Sequence, residues 1–356
     1  MRSQQSELRR PVYSAITFDA CQASEPPAPG LSALGGDRAA RRQWLRHWLT
    51  DPAIGSASFL MHHAVRLASP RLAAKIGAHI SRLAERRYRN GPSVARYRQS
   101  IARIRPDLAD DPQRLEATLS AWWRNIGRVY AEYAQIGKIS RKGLIEIEGR
   151  EHLAAAHASG RPLIYCSVHL SNFELLLSLL SNGHLASGCV GIYEPQQSRF
   201  ENAIIDRLRR RLGTRALPPG HKSAVLLSRH IREGGATLVY VDEVNGRQVH
   251  MPLFGRAVPV ASNVVNAAKL ALAHNGILLP IHMLRTPDGR FRVIVDPPFD
   301  PVEAPDRATR ITATIRKISV HFEPIVERNI EQWFMLQNIR FRADDREVVE
   351  HLDPAA

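Results

Sequence analysis

Cysteine is scarce in this chain: Cys21, Cys166 and Cys189 are the only three among 356 residues. An odd, scattered set without paired spacing excludes a disulfide framework and favours a reducing compartment. Long apolar runs are also missing. No window reaches the roughly 18 uninterrupted apolar residues that a membrane-spanning helix needs. Met1 to Gly30 holds no apolar stretch of signal-peptide length either. Acidic side chains are few beside basic ones, 34 against 49, which leaves a net charge of +15. That excess implies a negatively charged partner: phospholipid, nucleic acid or an acidic carrier protein. Only six of the basic residues are Lys, so the Arg richness has base-composition bias as its plainer explanation. No nucleic-acid-binding module is recognisable and the basic residues form no single stripe, so nucleic acid is set aside. What is present is ordinary globular material, 44% hydrophobic and 23% charged, and long enough to bury a substantial core.

Periodicity divides the chain in three. Residues 1–38 carry Pro26, Pro27, Pro29, Gly30, Gly35 and Gly36 with little pattern and read as a flexible leader. Residues 39–142 are helical in period. Trp44, Leu45, Trp48 and Leu49 share one face, Asp51-Pro52 ends that run, and further helices are predicted near 57–68, 71–88, 92–104 and 112–137. From 143 to 343 the period alternates. Strands are predicted at Leu144–Glu148, Pro162–Val168, 188–193, Thr237–Val241, 277–284 and Phe291–Val295. Helices fall between them at 172–181, 199–212, 221–233 and 262–274, and two more at 305–328 and 330–341 finish the chain. Such order argues an α/β fold, a mostly parallel central sheet flanked by helices, with an α-helical N-terminal region.

The chemistry concentrates in Leu163-Ile164-Tyr165-Cys166-Ser167-Val168-His169-Leu170-Ser171-Asn172-Phe173-Glu174. A buried strand ends in His169, a polar turn follows, and a helix opens with Glu174 in its first turn. Open α/β sheets place ligands at strand ends. Five residues on, the chain has room to fold back, so that Glu174 accepts a hydrogen bond from one ring nitrogen and leaves the other facing a substrate hydroxyl. Spacing alone leaves a second reading open, in which His169 is a satisfied strand-end histidine and Glu174 a helix-dipole acid. Cys166, Ser167 and Ser171 lie close by, but no G-x-S-x-G elbow surrounds a nucleophile. Cys166-x-x-His169 has no second ligand pair at zinc-like spacing.

Asn90 to Arg342 resembles the late acyltransferases of lipid A biosynthesis, a bacterial family within the wider lysophospholipid acyltransferase group. The family's H-x4-D/E motif is matched by His169 to Glu174, and its F-R-N-hydrophobic-G-R helix by Trp123-Arg124-Asn125-Ile126-Gly127-Arg128. Tyr193-Glu194-Pro195 stands at the Y-R-P position, followed by Asn202, Asp206 and Arg207-Leu208 ahead of Gly213. Asp242-Glu243 stands at D-Q, Pro252-Leu253-Phe254-Gly255-Arg256 at P-F-F-G, Pro280 at the end of V-V-P, and Gln332-Trp333 at Q-W.

The resemblance implies an O-acyltransferase. It would move a fatty acyl chain from an acyl carrier protein or CoA thioester to a lipid hydroxyl, with no cofactor and no metal. His169 and Glu174 would be the catalytic pair. Asn172, Tyr193, Arg199, Asn202, Asp206, Arg209, Asp242, Phe254 and Gly255 would be the substrate-binding residues. It also implies a peripheral seat on the cytoplasmic face of the inner membrane, an anionic surface that the Trp44/Leu45/Trp48/Leu49 face would enter. The alternative is a non-catalytic lipid-binding relative of the same fold. Two departures bear on the acceptor: Glu194 reverses the charge of the family's Arg, and Val244 stands where a second acid is common. The spanning helix usual at the N-terminus of the family is not seen.

Overall fold

The computed structural model describes residues 16–25, 27–182, 185, 188–196, 198–245 and 248–342. A short 3₁₀ turn, Leu31–Gly35, precedes α1 (Arg38–Leu45), whose first turn is capped by the Asp37 carboxylate accepting from the Ala40 amide. A π-helical turn, Arg46–Thr50, then runs directly into α2 (Asp51–Leu67). Asp51-Pro52 does not break the helix as the sequence suggests. Pro52 stands in the first turn of α2, directly after the π-helical turn, and the His47 carbonyl five residues before it accepts from the Arg199 guanidinium instead. The helical region continues with α3 (Pro70–Tyr88), α4 (Pro92–Ile104), α5 (Pro112–Glu132) and α6 (Ile136–Arg141). α3 and α5 cross at a pair of glycines. A Cβ on Gly77 would lie 2.1 Å from the Gly127 carbonyl oxygen, so only two glycines allow backbones this close.

The second half supplies β1 (Ile145–Glu148), α7 (Arg150–Ala158), β2 (Leu163–Ser167), α8 (Phe173–Ser181), β3 (Cys189–Ile192), α9 (Arg199–Leu212), β4 (Arg215–Leu217), α10 (His221–Arg232) and β5 (Ala236–Tyr240). A separate hairpin, β6 (Val244–Asn245) and β7 (Gln248–Val249), leads to α11 (Asn263–His274), β8 (Ile277–Arg285), β9 (Phe291–Val295) and α12 (Arg307–Arg328). Seven strands form one sheet in the order β1-β9-β8-β2-β5-β3-β4, and every neighbouring pair is parallel except β8–β9. This is the mostly parallel, helix-flanked architecture expected. β2 and β5 are buried along their whole length, as strands covered on both faces must be.

Differences from the expected elements have local causes. The helix expected over 330–341 is interrupted. Two 3₁₀ turns, Ile330–Gln332 and Phe334–Asn338, flank an extended Trp333, with which Leu170 pairs as an antiparallel bridge. Tertiary pairing overrides helix propensity there. β4 is three residues long and α7 is alanine-rich and weakly patterned, so neither stands out in the sequence. Of the expected leader, 1–15 and 26 lie outside the described residues. From Ile16 the chain is packed, with Ile16 and Cys21 buried against Val190, Leu217, Leu227 and Ile231.

Candidate functional site

β2, β5 and β3 are adjacent and parallel, so all three end at the same edge of the sheet. Each is followed by residues that the sequence motifs pick out: His169 after β2, Asp242-Glu243 after β5 and Tyr193-Glu194 after β3. The turn from β2 into α8 is tight. The Leu170 amide donates to the Val168 carbonyl at 2.7 Å, Ser171 adopts a left-handed conformation with φ of 52°, and Asn172 caps the helix. His169 thereby stands just beyond the C-terminal end of β2, almost wholly buried.

The imidazole is held by Asp242. Its Nδ1–H donates to Asp242 Oδ1 at 2.8 Å, and the His169 backbone N–H donates to Oδ2 at 2.9 Å. A carboxylate only accepts, so the proton sits on Nδ1 and Nε2 carries the lone pair in the neutral ring. Oδ2 also accepts from the Trp333 indole N–H at 2.8 Å, which gives this fully buried carboxylate three donors. Glu243 stands 3.5 Å from Nε2. The ring of Tyr240 lies 4.3 Å and that of Phe173 4.6 Å from the imidazole, centroid to centroid. The Tyr240 hydroxyl donates to the Phe173 carbonyl and closes one wall. Burial is the largest influence on the imidazole and disfavours its charge. The charges of Asp242 and Glu243, the Asp242 hydrogen bond and the charge of Glu174 together outweigh burial and hold His169 above its ordinary 6.5. A neutral Nε2 of raised proton affinity, facing a second carboxylate, is the arrangement of a general base.

The hydrogen bond expected from Glu174 to the imidazole is made by Asp242 instead. Glu174 is turned to α9, where Arg209 Nε and Nη2 donate to its two oxygens at 2.7 and 3.0 Å. Its influence on His169 is therefore through space. Arg209 in turn stacks 4.4 Å from the Tyr193 ring centroid, so Glu174, Arg209 and Tyr193 form one column beside the base. The Tyr193 hydroxyl donates to the Cys21 carbonyl at 3.0 Å.

The remaining expected residues divide. Asn172 is wholly buried and internal, its Oδ1 accepting from the Leu175 amide and its Nδ2 donating to Glu132. Phe254, left-handed with φ of 58°, donates its amide to Glu323 at 2.6 Å. Its ring lies 6.5 Å from that of Trp333, and Gly255 follows with φ of 76°. Arg199 is drawn away to the His47 carbonyl at 3.0 Å, Asn202 clasps the backbone of Gln196, and Asp206 pairs with Arg210. These three stabilise α9 and its approach rather than meeting His169.

Glu243 and Trp333 fall within the D-Q and Q-W matches, but sequence reasoning assigns neither a place beside His169. It also misses the buried ion pair of Arg285 with Glu132, whose Oε2 accepts from Asn172 as well. Sequence spacing carries no signal for a carboxylate 73 residues beyond the histidine it serves, or for an indole 91 residues beyond that carboxylate.

Residues 41–343 match the family model of the bacterial lipid A biosynthesis acyltransferases. Among solved structures, the 1-acyl-sn-glycerophosphate (LPA) acyltransferase PlsC from Thermotoga maritima is similar at 12% identity and a TM-score of 0.34, over 56% of this chain and 81% of that one. No curated protein sequence matches significantly.

Proposed function

The chain belongs to the bacterial lipid A biosynthesis acyltransferase family, and on that footing we propose that it transfers a fatty acyl chain from a thioester to a hydroxyl of a membrane lipid or glycolipid. The thioester is that of an acyl carrier protein or CoA. His169 Nε2 takes the proton of the acceptor hydroxyl, whose oxygen attacks the thioester carbonyl. The C–O bond forms, the C–S bond breaks, and the proton passes to the leaving thiolate. Asp242 fixes the tautomer and steadies the imidazolium. Such general-base assistance is worth about 10²–10⁴-fold in rate. The observation that carries this reading is the 2.8 Å bond between His169 Nδ1 and Asp242 in a fully buried setting.

Cys166, the thiol that a covalent route would use, is wholly buried and pushed far up by that burial, which suits a core residue and not a nucleophile. Glu194 is raised by burial and by the charge of Glu243. Two acids at this corner suit a neutral or cationic part of the acceptor better than a phosphate. The acceptor is accordingly a lipid or glycolipid hydroxyl, without restriction to lipid A.

The same reading puts the enzyme peripherally on the anionic cytoplasmic face of the inner membrane. No helix among the described residues is long and apolar enough to cross a bilayer. α2 carries no charged residue between Asp51 and Arg66. Gly55 and Val65 face inward, Gly55 so closely that a Cβ would strike Phe200. Ile54, Leu60, Met61 and Leu67 face outward, with Leu67 88% exposed, and Leu45, Trp48 and Leu49 continue the surface. Arg38, Arg41, Arg42, Arg46, Arg66 and Arg71 are exposed along the same stretch of chain, and exposed apolar side chains interspersed with basic ones suit the interface of an anionic bilayer.

Purified protein supplied with acyl-CoA or acyl carrier thioester and bacterial lipid extract should yield an acylated lipid, detected by mass spectrometry. His169→Ala should abolish the product. Undiminished turnover in that variant would overturn the mechanism.

A further inference from the structure

We propose that Trp333 is a positioning residue for the general base: its indole N–H locks the Asp242 carboxylate in the one orientation that holds the His169 ring and shares the carboxylate's charge. The inference rests on the reading of His169 as the base. Asp242 is 0% exposed, so each of its lone pairs must be satisfied from within the protein. Oδ1 is engaged by the imidazole, and Oδ2 by the His169 amide and Trp333 Nε1. Without the indole donor, Oδ2 keeps a single partner, and the negative charge falls more fully on Nδ1–H.

Trp333 is not merely packed nearby. Its backbone leaves the helical course of its neighbours, φ −80° and ψ 107°, and this brings the indole under the carboxylate. The segment around it is fastened to the His169 turn on both sides. The Phe334 amide donates to the His169 carbonyl at 2.8 Å, and the Ser171 amide donates to the Gln332 carbonyl at 3.1 Å. Gln332 itself is anchored to β8, where its side chain accepts from the Arg285 amide at 2.8 Å and donates to the Arg285 carbonyl at 3.2 Å. Behind it, Trp122 Nε1 donates to the Trp333 carbonyl at 2.9 Å and the Asn125 amide group donates to the Glu331 carbonyl at 2.8 Å. One short segment thus binds both the acid and the turn that presents the base.

The charged and titratable groups facing His169 are Asp242, Glu243 and Tyr240 from the end of β5, and Glu174 from α8, already neutralised by Arg209 of α9. Of these groups Asp242 accepts the indole N–H, so removing that donor changes one charge in the field and leaves the rest.

The test replaces Trp333 in the full chain by 3-(3-benzothienyl)alanine, which exchanges the N–H for sulfur in a ring of the same shape. Loss of a hydrogen bond to a charged group is expected to lower kcat by about tenfold to hundredfold, with KM unchanged. The acid limb of kcat/KM is expected to move to higher pH by about half a unit to one unit, because the unshared carboxylate charge favours the imidazolium. Phe322→Leu, a buried truncation on α12, is the control for loss of packing, and should lower the melting temperature without moving that limb. A benzothienyl variant with wild-type kcat and an unmoved limb overturns the proposal, and so does an equal shift in Phe322→Leu. NMR titration of the His169 ring in substrate-free protein reads the same shift without turnover. An enzyme that acylates nothing, yet shows this shift, would sink the functional reading and keep the positioning role.

Discussion

Arg209 grips both oxygens of Glu174, at 2.7 and 3.0 Å, and so occupies the carboxylate that stands five residues beyond His169. Both side chains are about nine-tenths buried. A planar fork is matched to a carboxylate in a way an ammonium is not. Arg209→Ala leaves Glu174 buried without a partner and should cost about 3–5 kcal/mol of stability. Urea unfolding of the purified variants measures this, and Arg209→Lys should recover only a minor part.

Asp242→Asn keeps the size of the side chain but turns a pure acceptor into a group that also donates. The His169 tautomer is then no longer dictated, and kcat should fall by about 10²–10⁴-fold with little change in KM. Steady-state kinetics with thioester donor and lipid acceptor decide it.

Activity should rise with pH through a limb above the ordinary histidine value, because the reactive form is neutral and the protein favours the charged one. The direction follows from Asp242, Glu243 and Glu174 outweighing the opposing effect of burial. Glu243→Gln removes one of those charges and should move the limb to lower pH. For stability the sign is the reverse. A raised imidazole stabilises the fold below the unfolded value, and that contribution is lost as pH rises through the folded one. Calorimetry of wild type and Glu243→Gln across this range should show the variant losing less stability with rising pH.

Ser171 holds a left-handed backbone and a buried hydroxyl that has no hydrogen-bond partner among the described residues. Glycine adopts that conformation without penalty and carries no hydroxyl to satisfy. Ser171→Gly should therefore stabilise the protein, by about 1 kcal/mol, seen as a higher melting temperature.

Leu60→Glu with Leu67→Glu places two carboxylates on the outer face of α2, where both leucines are more than two-thirds exposed. Flotation with vesicles containing anionic lipid should drop sharply, while the folded stability stays within about 0.5 kcal/mol, as for exposed substitutions generally. Wild-type flotation of this variant would rule out α2 as the membrane seat.

Much of the sheet is legible in the sequence because its strands are buried on both faces and read as short apolar runs. Phe291–Val295 and the helix Arg199–Leu212 fall where periodicity puts them. His169 is legible for the same reason, standing at the end of such a run. Its partner is not. The nearest carboxylate in the chain is Glu174, but the turn through Ser171 aims α8 so that this side chain meets α9, and the parallel neighbour β5 delivers Asp242 instead. Parallel pairing between strands 73 residues apart leaves no mark on local spacing. Trp333 illustrates the same limit. Its surroundings have helical composition, and long-range contacts, among them those with Leu170, Asp242 and Trp122, pull it out of a helix. Asn202 and Asp206 fit a family pattern, yet each fastens its own stretch of chain.

The strap through Trp333 has a consequence for how the enzyme comes into being. Translation delivers the histidine first, its carboxylate 73 residues later and the indole that steadies them 91 residues after that. A ribosome-bound chain whose sheet has already closed still lacks its final brace. The contact between carboxylate and indole is therefore completed late in synthesis, by a segment that follows the last strand of the sheet.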